Sequence, residues 1–478
     1  MRRQKRTTPP RPDAILPAAT ATPSSYPSPA PSSQPATNQT FFRTVIPTAL
    51  ALLVCNMDRI CLSVAMVPIA LELGWGEGVQ GVVQSAFLWG YLANQLLGGA
   101  LADKYGGKTV MAVGIAFFSF ASALLPAVAI TPFTAALGVT LPAVLLVRFL
   151  VGFGEGVALP SMNNLVATNV DKGKRATALG ACFMGFQSGN LVGLLLSPLI
   201  LQLYGWRSLF YVFGLLGIPL LLFWLAIVPP PFSSASSPSS STEQQPPKQQ
   251  QAVTYGDMLK NKPVWAIITA NFINHWGYFI YLNWMPTFFY KVLGMDLRAS
   301  SLMSFLPWLV MALGSSASGV LSDALVRWGV FTTTGVRKVV QSIAFLGPVV
   351  PLYFLSQVRN VNNLGTISTG ASASGIGIGT GMVLTPEQAV LAMTMALGIT
   401  SVGQFVTNMS DIAPRHAGRL FGLCNTFGSA AGILGVSVAG ILVERTGSFG
   451  MVFQITALLN IVGAVVWNLL ATGDKQFD

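Results

Sequence analysis

Twelve apolar runs, each long enough to cross a lipid bilayer as a helix, divide this sequence. The hydrocarbon core of a bilayer is about 30 Å thick and needs about 20 helical residues to span it. The composition agrees, because 52% of the 478 residues are hydrophobic and only 9% are charged, whereas soluble domains carry about a quarter charged residues. We therefore predict transmembrane helices that begin near Phe41, Gln80, Thr109, Leu141, Ala176, Leu209, Pro263, Ser300, Val336, Glu387, Gly418 and Ser448.

The runs form two groups of six, separated by a segment rich in Ser, Pro and Gln. Such a segment cannot bury enough apolar surface to fold. The predicted organisation is a disordered basic tail over residues 1–40, a six-helix bundle over 41–230, a flexible cytosolic linker over 231–262 and a second six-helix bundle over 263–473. A Gly-, Ser- and Thr-rich stretch from Asn360 to Met382 is expected to form a mobile loop. The prediction is an all-α membrane protein.

The distribution of basic residues predicts the orientation and the compartment. Lys and Arg concentrate in the segments on the same side of the membrane as both termini. An excess of Lys and Arg marks the cytosolic side of a multi-span protein. In an organelle, that side is the face from which the protein is inserted. The tail is basic, with Asp13 as its one acid, and resembles an organelle transit peptide; an ordinary disordered tail is the alternative. The net charge of +11 is spread over loops without a basic stripe, so no nucleic-acid partner is expected.

Two related motifs end the second and the eighth predicted helices. Gly99-Ala-Leu-Ala-Asp103 and Gly319-Val-Leu-Ser-Asp323 have identical spacing, and repeated six-helix halves are typical of secondary transporters. The first motif continues through Lys104 to Lys108 and matches the loop motif of the major facilitator superfamily. We expect Asp103, Lys104 and Asp323 to act in gating, as a latch that holds one end of the bundles closed, and not in substrate binding.

Four charged residues stand inside predicted helices and mark the functional region. An ionised side chain at the bilayer centre costs roughly 2.5–3.5 kcal/mol on insertion scales, so it is retained for a use. Arg148 and Glu155 lie seven residues apart on one face of the fourth helix, about 10.5 Å along its axis. They are too distant to neutralise each other, so each needs another partner: a first-helix residue, a bound ion, or a proton on Glu155. The alternative is a structural network that ties helices together.

Asp58 and Arg59, the other two charged residues, are neighbours on the first helix and point about 100° apart. We expect Arg59 to line a polar cavity and Asp58 to face an adjacent helix. Because a carboxylate beside a guanidinium stays ionised, Glu155 is a better candidate than Asp58 for carrying a proton. His275 in the seventh helix is either a hydrogen-bonded structural histidine or a proton site.

Longer stretches of the chain resemble the anion:cation symporter family of the major facilitator superfamily. That family includes the sodium/phosphate cotransporters, sialin, the vesicular glutamate transporters and the plant plastid-type phosphate transporters. The resemblance covers about Phe42 to Lys475 and is closest to the plant and algal phosphate-type branch, through Asn56-Met-Asp-Arg59 and the loop from Ala102 to Lys108. The segments that carry it are Asn56–Pro68, Gln84–Tyr91, Gly152–Pro160, Gly205–Tyr211 and Ser410–Gly418.

The resemblance implies roles for several residues. Arg59 and Arg148 fall on the family's anion-coordinating arginines, and Glu155 falls on the acid implicated in proton or cation coupling. Gln84 and Asn274 stand where the glutamate transporters have a histidine and an arginine. Losing that third positive group disfavours a dicarboxylate, whereas the forked donors of two guanidiniums match the oxygens of phosphate.

We therefore expect a major facilitator fold and a secondary active transporter that moves inorganic phosphate or a similar small anion by alternating access, coupled to Na⁺ or H⁺. Tyr91 and Asn274 are expected to join the two arginines in substrate binding, and Asp58 and His275 to join Glu155 in coupling. We expect a monomer surrounded by lipid, in the plastid envelope or another organelle membrane, with the plasma membrane as the alternative.

Two other functions stay open: an organic-anion carrier, for example of ascorbate, and a transporter-like anion sensor. An enzyme would need a clustered nucleophile, a metal triad or a His/acid pair within the spans, and the sequence indicates none. No cofactor and no bound metal other than the coupling ion are expected.

Overall fold

The computed structural model describes residues 38–171, 174–229, 254–329, 332–358, 384–414 and 416–477. The predicted tail up to residue 37, most of the predicted linker and the predicted loop from Asn360 to Met382 lie outside these residues. Across the described ranges the secondary structure is helical. All four cysteines are buried and free.

The first half of the chain contains eight helices in its described residues; seven of them form six spans, and the five-residue α4 lies between the third and fourth spans. The fourth span is interrupted at Gly156 and Val157, so that α5 and α6 share it. The helices are α1 (Asn38–Leu73), α2 (Glu77–Tyr105), α3 (Gly107–Ile130), α4 (Pro132–Ala136), α5 (Thr140–Glu155), α6 (Ala158–Asn169), α7 (Arg175–Tyr204) and α8 (Trp206–Ile227).

The second half repeats the pattern with nine helices in the residues described. Its ninth and tenth spans of the whole chain are also interrupted, each by a short break between two helices. The helices are α9 (Tyr255–Leu259), α10 (Lys262–Lys291), α11 (Leu297–Arg327), α12 (Thr333–Leu346), α13 (Val349–Ser356), α14 (Pro386–Thr400), α15 (Phe405–Ile412), α16 (Ala417–Thr446) and α17 (Gly450–Leu470).

The predicted count of twelve spans is confirmed. Ten stretches of the described chain are long and apolar enough to cross a membrane. The other two spans are α2 and α10, with 29 and 30 residues, which carry internal polar side chains such as Gln84 and Asn271. Every span begins within about one helical turn of its predicted start.

The two halves meet along three helix pairs. Within the first half α1 packs on α7, α2 on α5 and α3 on α8; within the second half α10 packs on α16, α11 on α14 and α13 on α17. Between the halves α2 packs on α16, α7 on α11 and α1 on α10. The largest cluster of buried apolar residues takes members from both halves. The contact between halves is thus built by the helices that carry the candidate site residues.

The last part of the predicted linker is structured rather than flexible. Thr254 accepts a hydrogen bond from the backbone N–H of Asp257, and the Asp257 carboxylate accepts one from the Thr254 N–H. This capping box starts α9, and Met258 anchors α9 in an apolar cluster of the second half. The sequence expectation missed α9 because a five-residue helix has too few residues to show a period.

Candidate functional site

A cavity of about 520 Å³ lies between the two halves. It opens toward the side of the membrane on which α1 begins, since its lining residues on α7, α10 and α16 lie in the parts of those helices near that side. Its polar lining comprises Arg59, Tyr91, Gln187 and Ser188 from the first half and Asn271, Asn274, His275, Tyr278, Ser315, Asn425 and Ser429 from the second. A volume of this size is typical of a small-molecule site.

Toward the other side of the membrane, the space between the halves is closed by contacts between them. The Lys291 ammonium, at the end of α10, pairs with the Glu77 carboxylate at the start of α2 at 2.6 Å. Next to it, the backbone N–H of Gly78 donates to the carboxylate of Glu444 on α16 at 3.0 Å. We call these two contacts the far-side lock. The cavity is open at one end and closed by the far-side lock at the other. The structure therefore represents a state in which the cavity is accessible from one side of the membrane.

Arg59 forms the floor of the cavity. Its guanidinium is 7% exposed and donates from Nη2 to Oε2 of Glu155 at 2.9 Å. The guanidinium carbon lies 4.7 Å from the ring centre of Phe87, 5.1 Å from Tyr91 and 5.5 Å from Phe186. Cation–π contacts of this kind stabilise a cation out of water. One guanidinium is therefore held at the cavity by an acid and three rings.

Arg148 lies behind Arg59 and does not line the cavity. It is 2% exposed, and its Nε and Nη1 have no hydrogen-bond partner among the described residues. Its guanidinium carbon is 5.4 Å from the same Phe87 ring that faces Arg59. Asp58, buried nearby, accepts a hydrogen bond from the Ser122 hydroxyl on α3. The buried ionisable side chains around Arg59 are thus two arginines and two acids.

The structure supplies a partner for Glu155. The Arg59 guanidinium on α1 donates a hydrogen bond to the Glu155 carboxylate, so Glu155, like Asp58, lies beside a guanidinium. The sequence left the first-helix residue as one of three open partners, since spacing within one helix cannot give the register between helices. As the offset of Asp58 and Arg59 on α1 requires, Arg59 faces the cavity and Asp58 faces α3.

The residues predicted for binding and coupling divide by exposure to the cavity. Arg59, Tyr91, Asn274 and His275 line it. Arg148, Glu155 and Asp58 are buried behind that lining, each at 2% exposure or less. In this state Arg148 could reach an anion in the cavity only if the Arg59–Phe87 layer moved.

His275 belongs to a polar wall opposite Arg59. The sequence analysis named Asn274 and His275 of this wall and missed Asn271 and Tyr278. Its Nδ1 lies 3.0 Å from the backbone carbonyl of Asn271, and its ring also interacts with the Asn425 side chain. Asn271, Asn274, His275 and Tyr278 follow the i, i+3, i+4, i+7 spacing of one helix face. That spacing was the signal in the sequence that could have revealed the wall.

The predicted gating residues make contacts within the first half. The Asp103 carboxylate accepts a hydrogen bond from the Asn164 amide on α6 at 3.2 Å. Asn164 in turn accepts from the backbone N–H of Gly107 at 2.9 Å, and Lys104 lies over the Tyr105 ring. These residues lie on the side of the membrane toward which the cavity opens. The backbone of Asp323 lies in α11, and its side chain falls outside the described atoms.

A buried polar network lies at the corresponding place in the second half. Arg337 on α12 donates from Nε to Asp411 at 2.7 Å and from Nη1 to Ser322 at 2.6 Å and Gln404 at 3.2 Å. Ser322 immediately precedes Asp323 in the repeated motif. The sequence repeat is thus accompanied in each half by polar contacts near the same side. Over the described part of the chain, His, Cys, Asp and Glu form no group that could hold a metal ion.

The comparisons with known proteins agree with this architecture. The pattern of the Major Facilitator Superfamily matches residues 48–407, and the chain therefore belongs to that superfamily. Among solved structures, the D-xylose–proton symporter superposes with a TM-score of 0.67 at 15% identity, covering 91% of this chain and 100% of that one. A bacterial homologue of the lysosomal transporter Spinster gives 0.63 at 14% identity, covering 89% and 96%. These likenesses establish the twelve-helix, two-bundle fold.

Closer relatives are plant plastid proteins. The chain is 38% identical over 434 residues to the Ascorbate transporter, chloroplastic, of Arabidopsis thaliana, covering 89% of this chain and 74% of the relative. It is also 38% identical to the Sodium-dependent phosphate transport protein 1, chloroplastic, of the same plant, covering 90% and 78%. The Probable anion transporter 1, chloroplastic, of Oryza sativa subsp. japonica is 38% identical, with 90% and 76% covered. The predicted family is thereby confirmed.

Proposed function

We propose that this protein is a secondary active transporter of inorganic phosphate or a similar small anion, coupled to H⁺ or Na⁺, by alternating access. The observation that carries the proposal is the Arg59–Glu155 pair at the floor of a cavity that is open on one side only. A guanidinium presented to an aqueous cavity recognises the oxygens of an anion. The one-sided closure is what alternating access requires.

The same pair supplies a means of coupling. An anion that binds Arg59 competes with Glu155 for its donors. A carboxylate that loses its guanidinium in a buried site is costly unless it gains a proton or a cation. Anion binding and H⁺ or Na⁺ binding therefore favour each other, and this coupling is reciprocal.

The relatives support the anion class. Their names describe carriers of ascorbate, of phosphate with sodium dependence, and of anions in general, and all are plastid proteins. We extend to this chain an anionic substrate and a plastid membrane, as a multi-pass protein. Phosphate and an organic anion are both compatible with one guanidinium at the cavity floor.

The test is uptake of labelled phosphate into proteoliposomes under an imposed Na⁺ or pH gradient, with unlabelled ascorbate, glutamate and chloride as competitors. We expect gradient-dependent uptake in the native protein and none in Arg59→Ala. Arg207→Ala is the matched control, because Arg207 pairs with Glu72 on the surface, outside the cavity. Binding of the anions without any uptake, in vesicles shown to be sealed, would contradict transport and favour an anion sensor.

The plastid location has a separate test in the tail. Residues 1–38 fused to a fluorescent protein should direct the reporter into plastids if the basic tail is a transit peptide. A diffuse cytosolic signal would leave the tail as an ordinary extension and would contradict a tail-directed import.

A further inference from the structure

One tyrosine of the second half reaches across the cavity toward the arginine of the first half. Tyr278 on α10 lines the cavity, and its hydroxyl interacts electrostatically with the Arg59 guanidinium. The Asn190 amide on α7 donates a hydrogen bond to the Tyr278 oxygen at 3.4 Å, and the Asn56 side chain on α1 also interacts with that oxygen. The hydroxyl therefore lies against α1 and α7, the helix that carries Arg59 and its close neighbour.

The ring of Tyr278 is held by the second half, while its hydroxyl keeps the capacity to donate. The ring meets those of Trp308 on α11 and Phe279 edge to face, with ring centres 5.0 and 5.2 Å apart, and such pairs favour a defined ring position. In the bond from Asn190 the tyrosine oxygen is the acceptor. Its own O–H thus remains a donor for an oxygen of a bound anion.

Alternating access gives a second-half donor at this place a function. A ligand shifts a conformational equilibrium only by as much as its affinity differs between the two states. An anion held only by Arg59 would contact the first half equally well with the open end of the cavity open or closed. It would then give no drive for closure. A donor from the second half binds the anion more tightly as the halves approach each other.

We propose that Tyr278 is a substrate-positioning residue of the second half, whose hydroxyl donates to an anion bound at Arg59 and so links anion binding to closure of the open end. This rests on the proposed function, in which Arg59 binds the anion. The bond that the hydroxyl makes is charge-assisted, and such bonds are roughly twice as strong as neutral ones.

The first test separates the hydroxyl from the ring. Tyr278→Phe keeps the ring and removes only the hydroxyl. We expect the phosphate concentration that gives half-maximal uptake into proteoliposomes to rise about tenfold, as for the loss of one hydrogen bond to a charged group. The concentration that gives half-maximal thermal stabilisation of the purified protein should rise equally. A hydroxyl that only joined the halves would change the melting temperature without phosphate and leave both concentrations unchanged.

Tyr281→Phe is the matched control. Tyr281 lies on the same helix, three residues further along, and is 5% exposed within an apolar cluster, outside the residues that line the cavity. Its half-saturating phosphate concentrations should equal those of the native protein. If Tyr278→Phe does not fold, Asn190→Leu takes its place. Loss of the amide frees the hydroxyl from its position and should raise the half-saturating concentrations severalfold.

The second test measures closure of the open end. Ser315 on α11 lines the cavity and is exposed, so a hydrophilic maleimide should label Ser315→Cys rapidly, whereas the native cysteines are buried. Saturating phosphate should slow this labelling severalfold. The slowing should be lost when Tyr278→Phe is added and phosphate is raised to equal saturation. Protection by a phosphate ion that merely blocks the cavity would be the same in both proteins.

The outcomes separate this inference from the function beneath it. Native half-saturating concentrations in a folded Tyr278→Phe protein, or equal protection of the cysteine in both backgrounds, overturn the role of Tyr278 and leave an anion transporter. Failure of the native protein to bind or take up any of the anions overturns the proposed function itself.

Discussion

At the scale of single residues, the site depends on how one guanidinium is held. Arg59 has one carboxylate partner and three aromatic neighbours, so its position is fixed before an anion arrives. Arg148 shares the Phe87 ring but keeps two buried nitrogen atoms unpaired. The sequence analysis gave both arginines the same role. In this state they differ, because Arg59 lines the cavity and Arg148 is buried behind it.

The first prediction concerns the shape of the Arg59 head group. Arg59→Lys keeps the charge but loses the planar fork that stacks on rings and pairs with two oxygens. Phosphate uptake should fall at least about tenfold, which corresponds to the loss of one charge-assisted hydrogen bond. Initial uptake rates in proteoliposomes measure this, with Arg207→Lys at the exposed Glu72 pair as control. Native rates in Arg59→Lys would show that charge alone suffices.

The second prediction concerns coupling through Glu155. Glu155→Gln keeps the shape and a hydrogen bond to Arg59 but cannot take up and release a proton. We expect this variant to lose gradient-driven accumulation and to keep anion exchange. During exchange the carrier crosses the membrane with an anion bound in both directions, so no net movement of the coupling ion is needed. Accumulation under a gradient and counterflow are measured in the same vesicles. Glu72→Gln serves as control, since Glu72 lies at the surface end of α1.

Full accumulation by Glu155→Gln would remove this acid from the mechanism. Attention would then pass to Asp58 and His275, the other two predicted coupling residues. Of these, only His275 lines the cavity in the present state.

At the scale of helices, the sequence predicted where each span begins better than where a span is interrupted. Hydrophobic runs located every span within about one turn, because the cost of exposing polar backbone to lipid forces each run to be a helix. The break between α5 and α6 at Gly156, and those between α12 and α13 and between α14 and α15, were not predicted. The break between α12 and α13 falls at Gly347 and Pro348, a local helix-breaking pair, whereas apolar length and hydropathy alone show only that a span is long enough to cross the membrane.

The pairing of Arg59 with Glu155 was open in the sequence for a related reason. Spacing fixes which residues share a face of α1 or of α5, but the register between the two helices is set by packing. The close packing of α7 on a neighbouring helix can be predicted from the sequence. Gly185, Gly189 and Gly193 repeat every fourth residue and indicate a backbone-to-backbone surface. In the structure that surface lies against α1, the helix that carries Arg59.

The third prediction tests this packing. A Cβ at Gly185 would lie 2.4 Å from the backbone carbonyl oxygen of Ala49, so Gly185→Ala should destabilise the protein by about 1–3 kcal/mol through overpacking. Gly180→Ala, five residues earlier on the same helix, meets nothing within 4 Å and should be neutral or stabilising by up to about 1 kcal/mol. Thermal unfolding in detergent compares the two. Equal unfolding temperatures would mean that α1 and α7 are not in tight contact.

At the scale of the whole molecule, the two spans that hydropathy alone recognises least well both contribute to the cavity between the halves. α2 and α10 fall outside the ten clearly apolar spans, yet α2 supplies Tyr91 and α10 supplies Asn271 and His275 to the cavity. The far-side lock joins the start of α2 to the end of α10, through Glu77 and Lys291. In α10 the polar residues that lower the hydropathy include Asn271, Asn274 and His275, which line the cavity, whereas in α2 Gln84 is buried outside the lining.

The last prediction follows from the far-side lock, whose contacts join the two halves only while that side is closed. Lys291 and Glu77 are 31% and 25% exposed, so Lys291→Met should remove about 1 kcal/mol of closure energy and shift the ratio of states about fivefold toward opening on that side. A cysteine placed at Ser437, which donates a hydrogen bond to Ser85 across the closed interface at 2.9 Å, reports the opening.

Labelling of the purified Ser437→Cys protein by a hydrophilic maleimide should accelerate severalfold when Lys291→Met is added, against a low background because the native cysteines are buried. Arg207→Met is the matched control: it breaks a Glu72 ion pair at the same face of the membrane, but both partners belong to the first half. Its labelling rate should not change, because that pair does not join the halves. Equal acceleration by both variants would mean that the substitutions loosen this end of the protein without acting through the lock. No acceleration by either would show that the α2–α16 backbone contact at Gly81 and Gly440 closes this side without the lock.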